Sequence, residues 1–199
     1  MITADQICKN ATGYTEVTTC YLKGFWGQPL TEAEYARVLK MYPDNAKYDN
    51  GKYVGSNAYA FDCICLIKNL LASGKVGNRV SYAQICKTEL GDCGTQTFLS
   101  SLYDCCYPKD APAGYGLATA GHAALSLGNG MWIDANKNAT QNGVKIHTTG
   151  IERFTRAGKI KGVDYATPEP IIPTEPIIPT ERVILTQFTN WLVDQYLNR

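Results

Sequence analysis

A thiol, an imidazole and a carboxylate that meet in space suffice for nucleophilic cleavage of an acyl bond, and Cys63, His122 and Asp134 are the set this chain offers. Cys63 follows Asp62 where a polar stretch gives way to the apolar run Leu66, Ile67, Leu70 and Leu71, so it opens a helix directly after a loop. Unpaired N–H groups and the dipole of a helix N-terminus favour an anion, and the expected effect is a lowered thiol pKa. A thiolate also needs an imidazole to pair with it and later to protonate the leaving amine. The chain has two histidines. His122 begins a strand-like segment right after Gly121, whereas His147 ends one in a polar turn region, which favours His122 as the base. Asp134 is the natural group to hold its other nitrogen. In a two-residue-turn hairpin His122 and Asp134 fall near the open ends of paired strands, an even number of positions apart and hence, on this reading, on one face.

Several elements must position these groups. Thr3-Ala4-Asp5-Gln6 reads as a capping box that starts a helix running to about Gly13. Residues 20–29, aromatic and interrupted by glycine, read as a loop. Thr31-Glu32-Ala33-Glu34 opens a second helix with Tyr35, Val38, Leu39 and Tyr42 on one face, ended by Pro43. Residues 43–60 read as a polar loop leading to the site, and the Cys63 helix runs to Ser73 before Gly74. Ser81-Tyr82-Ala83-Gln84 is a third capping box, and a further helix is expected around 95–107, halted by Pro108. Strands follow: His122–Leu127, the turn Gly128-Asn129-Gly130, Met131–Ala135, and Gly143–His147. Helices first and a meander afterwards predict an α+β domain, with N-terminal helices packed on an antiparallel β-sheet. This catalytic domain is assigned to residues 1–166. Residues 169–180 repeat Glu-Pro-Ile-Ile-Pro-Thr twice, so 167–180 read as a proline-rich spacer. Residues 181–199 then place Leu185, Phe188, Leu192 and Tyr196 on one helical face, an amphipathic helix suited to self-association or to docking on a virion or wall component.

Composition narrows the function. Apolar content of 45% and charged content of 19% match a folded globular chain rather than a disordered one. A net charge of +1, with lysine and arginine dispersed, argues against nucleic acid as a partner. No apolar stretch reaches membrane-spanning length. The start, Met1-Ile2-Thr3-Ala4-Asp5, lacks a basic segment followed by an apolar run, so synthesis in a cytoplasm without a signal peptide is expected. In that reducing setting the eight cysteines are expected to be free thiols, mostly small core residues. Cys86, Cys93, Cys105 and Cys106 lack paired C-x-x-C spacing, and no metal or other cofactor is expected.

Two segments carry a resemblance. Tyr59-Ala-Phe-Asp-Cys-Ile-Cys-Leu-Ile-Lys resembles the Asp-Cys nucleophile motif of the NlpC/P60 cell-wall peptidases. Gly121-His-Ala-Ala-Leu-Ser-Leu-Gly-Asn-Gly-Met-Trp-Ile-Asp-Ala is similar to that family's Gly-His strand, turn and following strand, whose third polar residue falls on Asp134. The leader Tyr21-Leu-Lys-Gly-Phe-Trp-Gly-Gln-Pro-Leu-Thr-Glu resembles one found in phage and Firmicute members, and the likeness runs in order over roughly residues 11–165. Ile64 and Cys65 stand where the family commonly has Ser-Gly. Cys65, about 200° round a helix from Cys63, is expected to face away from the pocket.

The resemblance implies a papain-like fold and a Cys63–His122–Asp134 hydrolase of peptide bonds in bacterial peptidoglycan. The bond it favours lies between D-glutamate and the diamino acid of the stem peptide. It also implies Tyr53 as a residue lining the site and assisting the oxyanion. A phage lysin acting on the wall after release, or a virion-associated enzyme, fits the lack of a signal. Two alternatives stand beside it: an amidase cutting between the muramoyl lactyl group and L-alanine, and an inactive virion or interaction module.

Overall fold

Thr3 accepts the Gln6 N–H on its hydroxyl and so starts the first helix immediately behind a two-residue strand, β1 (Ile2–Thr3). The computed structural model describes residues 1–165 apart from 49, 74, 139 and 140. The spacer and the amphipathic helix predicted for 167–199 lie outside the described residues. Helix α1 (Ala4–Gly13) leads through a 3-10 turn to β2 (Thr19–Tyr21) and β3 (Trp26–Pro29). The segment read as a loop is therefore two short strands, because glycines at positive φ, Gly24 at 80° and Gly27 at 90°, allow extended backbone on either side of a tight turn. Thr31 caps α2 (Glu32–Met41), which ends just before Pro43 as expected, although of its predicted apolar face only Val38 is buried. Two 3-10 segments, Pro43–Tyr48 and Asn50–Tyr53, precede β4 (Tyr59–Phe61).

Helix α3 (Cys63–Ser73) follows at once, over the range predicted for it. Ser81 caps α4 (Tyr82–Cys86) with both bonds of the capping box present. Helix α5 (Thr95–Ser101) is shorter than expected. The chain turns extended at Leu102 and becomes β5 (Tyr103–Cys106), which finds a partner strand rather than another helical turn. The remaining strands are β6 (Gly116–Ala118), β7 (Ala123–Gly128), β8 (Met131–Lys137), β9 (Asn142–His147), β10 (Arg156–Lys159) and β11 (Val163–Asp164).

Six strands form an antiparallel sheet in the order β5-β10-β6-β7-β8-β9. A three-stranded sheet in the order β2-β4-β3 and a parallel β1–β11 pair complete it. This mixed architecture is compatible with the α+β class read from the sequence. Helix α3 packs on β7 and β8, with α1 on its flank. Ile64, Leu66, Ile67 and Leu70 meet Ala123, Leu125, Ile133 and Ala135 in the main core. The alternate residues Ala124 and Trp132 join Phe154 and Ile151 in a second core. A third, smaller core ties Cys20, Leu22 and Phe25 to Leu30 and Val38. Among the described residues no helix is long and apolar enough to cross a membrane.

Candidate active site

The local sequence explains the place of Cys63. Strand β4 ends at Phe61, and Asp62 then accepts the Cys65 N–H on Oδ1 (2.7 Å) and the Gly24 N–H on Oδ2 (2.9 Å). One carboxylate thus caps α3 and fixes the β2–β3 turn against it, leaving Cys63 as the first helical residue. Its thiol is buried, 6% exposed. Contrary to the expectation from helix position, the thiol is pushed up to about 12: burial dominates and the nearby Asp62 charge adds to it. The N–H groups of Ala123 and Ile64 act in the opposite direction, and the Asp134 charge raises it again. Cys63 therefore lies beside the main chain of the residue that follows His122, within reach of the Asp134 charge.

Asp134 gathers the polar groups. Its carboxylate, fully buried, accepts from His122 Nε2 on Oδ2 at 2.7 Å. On Oδ1 it accepts from Gln141 Nε2 at 2.9 Å and from His147 Nε2 at 3.0 Å. Burial by itself raises the carboxyl. The hydrogen bonds from His122 and Gln141, the charge of His122 and the bond from His147 outweigh it and hold Asp134 below its ordinary value. An ionised carboxylate accepts only, so the His122 proton lies on Nε2 and Nδ1 carries the lone pair. Among the described residues Nδ1 makes no hydrogen bond.

His122 and Asp134 share one face of the sheet, as their even spacing predicts, but not through a regular ladder. The turn is a two-residue one, Asn129 and Gly130 both at positive φ between the paired Gly128 and Met131. An unbroken ladder from that turn would set Leu125 opposite Asp134 and leave His122 on the other face. A bulge between Ser126 and Gly128 shifts the register by one, pairing Leu125 with Ile133, and brings the two onto one face.

Compared with known proteins, the chain matches no family model, no curated protein and no solved structure. Function has to be read from these residues.

Tyr53 does not stand at this site. It packs against the third core, with Lys52 over its ring at 5.4 Å. The tyrosine beside Cys63 is Tyr21, paired in register with Phe61 at the end of β2. Its hydroxyl is pushed above the ordinary range by burial and then by the adjacent Cys63 and Asp62, so it stays a donor. An amide lattice locks its strand: Asn142 Oδ1 accepts the Tyr21 N–H, Asn50 Nδ2 donates to the Tyr21 carbonyl, and Asn142 Nδ2 donates to Asn50 Oδ1. Tyr21, Gln141 and His147 were not singled out from sequence. Their partners come from strands whose pairing carries no local signal.

Cys65 faces away from Cys63, as its place on the helix predicts. It lines a cavity of about 950 Å³ together with Trp26, Arg37, Asp62, Lys68 and Tyr82, and Cys63 is not in its wall. Burial and the Asp62 charge raise the Cys65 thiol, and neither histidine lies in that cavity. Without an imidazole Cys65 has no proton acceptor suited to acyl transfer. Of the four cysteines weighed as zinc ligands, Cys86 and Cys105 are exposed rather than core residues. Among the described residues no group of three or more His, Cys, Asp or Glu side chains is arranged to hold a metal ion.

Proposed function

We propose that this protein is a peptidoglycan hydrolase of papain-like, NlpC/P60 type, with Cys63 as nucleophile, His122 as base and then acid, and Asp134 as the group that orients the imidazole. The observation that carries the reading is the 2.7 Å bond from His122 Nε2 to a buried Asp134 held in its ionised form, with Cys63 beside the Ala123 main chain. Among the described residues the thiol makes no hydrogen bond to the imidazole, so the proposed proton transfer requires the two to close up when substrate binds. The Cys63 proton passes to His122 Nδ1 as sulphur attacks the carbonyl carbon. The oxyanion is met by the Cys63 N–H, since those of Cys65 and Leu66 are taken by Asp62, and by the Tyr21 hydroxyl. His122 then protonates the leaving amine, and water, deprotonated by the same imidazole, hydrolyses the thioester. The raised thiol means that the nucleophile forms within this step rather than resting as a thiolate.

Cleavage between D-glutamate and the diamino acid suits a stem peptide that carries both charge signs. The cavity on the Cys65 flank, outside which Cys63 lies, holds Arg37 paired with Glu34 and Lys68 paired with Asp92, with Arg79 and the tilted Trp26–Tyr82 pair at 5.3 Å beside them. On purified walls, Cys63→Ser should abolish release of peptides while Cys65→Ser keeps most of it. An active Cys63→Ser would end the assignment. Identifying the new amino terminus separates the bonds: a diamino acid terminus marks the endopeptidase, a free L-alanine the amidase.

A further inference from the structure

Asp134 serves two imidazoles. His122 holds Oδ2 and His147 holds Oδ1, each through Nε2, and Gln141 adds a third donor to Oδ1. Gln141 Nε2 also donates to the Gly143 carbonyl at 2.9 Å, which fixes which way round its amide lies. His147 is held as firmly as His122. Its ring stacks on Trp132 with centroids 3.9 Å apart and planes 13° from parallel. Trp132 is itself pinned by its Nε1 bond to the Thr149 carbonyl and by edge contact with Phe154 at 5.0 Å. Strand register sets the pair, with Trp132 opposite His147 and Asp134 opposite Lys145.

We infer that His147 is a positioning residue for the reaction proposed above: it steadies Asp134 from the side opposite His122 and competes with His122 for a proton. This rests on the hydrolase reading only for its effect on rate. One negative charge stabilises one imidazolium well; a second would face the first across the same carboxylate. The charged groups around His147 are Asp134 itself, His122 beyond it, Lys145 opposite Asp134 on the strand pair, and Arg153, whose guanidinium lies 5.7 Å over the Trp132 ring. The cations oppose double protonation further. With 21% of its side chain exposed, His147 is open to solvent protons. A proton drawn to this carboxylate thus meets two imidazoles, of which only His122 belongs to the proposed reaction.

The test uses the full chain as wild type, His147→Gln and His147→Ala, each checked by circular dichroism and melting, with a soluble stem-peptide muropeptide as substrate. Glutamine keeps an N–H donor near the Nε2 position but takes no proton. His147→Ala should lose turnover roughly tenfold, the scale of one charge-assisted hydrogen bond, and glutamine should restore most of it. The acidic limb of kcat/KM in His147→Gln should move up by roughly half a pH unit and steepen to a single-proton shape. Proton NMR gives a readout independent of activity, because the chain has two histidines. In the wild type both imidazole resonances should titrate in two linked steps, and in His147→Gln the remaining one in a single step. Superimposable His122 curves and pH profiles in wild type and His147→Gln would overturn the inference. A wild type without activity, or an active Cys63→Ala, would instead sink the hydrolase reading and leave the NMR result to decide the coupling.

Discussion

An ionised carboxylate buried under three N–H donors does more than orient an imidazole: it dictates which nitrogen carries the proton. Asparagine at 134 would present an acceptor on one side and an NH2 on the other, so it cannot satisfy His122 and His147 alike. Asp134→Asn should therefore lower kcat by roughly 10²–10⁴-fold with little change in KM, and His122→Ala should be lower still, measured on the same wall fragments. A near-wild-type Asp134→Asn would mean that another group holds His122. The raised Cys63 thiol makes a second expectation. Burial favours its neutral form, so alkylation of Cys63 by iodoacetamide, followed by mass spectrometry, should keep rising with pH through the alkaline range toward about 12. A plateau already reached near pH 5, as a resting thiolate–imidazolium pair gives, would contradict it. The places of Cys63, His122 and Asp134, the residues proposed for the reaction, were legible because helix start, strand and turn each leave a local mark. His147 was set aside because it ends a strand in a polar turn region, and its tie to Asp134 depends on the β8–β9 register, for which there is no local signal. Tyr53 came from the family resemblance alone, and segment 20–29 gave no strand pattern that would place Tyr21 beside Phe61.

Among the elements, the capped helices and the strands flanking the Asn129-Gly130 turn were readable, and the short strands before β4 and after α5 were not. Thr3, Thr31 and Ser81 each accept the N–H three residues on, and the helices begin where these side chains say. Strands β2 and β3 are three and four residues long, too short for alternation to show. Strand β5 follows α5 without a breaker, and only its partner β10 reveals it. The β7 bulge is the decisive case. Nothing in Ser126-Leu127-Gly128 announces an extra residue, yet it sets the face on which His122 lies. Close approach of β9 to β2 is a further condition of the site. Gly143 lies at φ 115°, and a Cβ there would fall 2.5 Å from Thr19 Oγ1 and 2.6 Å from the Thr19 carbonyl oxygen. Gly143→Ala should cost about 1–3 kcal/mol in denaturant unfolding and disturb Gln141 and Asn142, hence both Asp134 and Tyr21. A stability equal to wild type would show that β2 gives way at no cost.

At the scale of the molecule, Met1–Ala166 is a compact unit, and its last described residue is part of it. The Tyr165 hydroxyl accepts the Ile160 N–H and donates to the Gly114 carbonyl. Truncation after Tyr165 should accordingly leave a folded protein that cuts soluble wall fragments at a rate within about twofold of the full chain, while binding to whole cells is free to change. An unfolded product would mean that residues beyond 165 complete the core. The pairing of Ile2 with Val163 and of Thr3 with Asp164 has its own consequence, which concerns synthesis. Within this unit β1 leaves the ribosome well before its partner β11, so the strand's main chain stays an open edge while most of the unit is made. Helix α1 follows β1 without a break, and its packing against α3 must hold that edge in reserve. The domain therefore closes late in translation, when the strand that seals it finally leaves the exit tunnel.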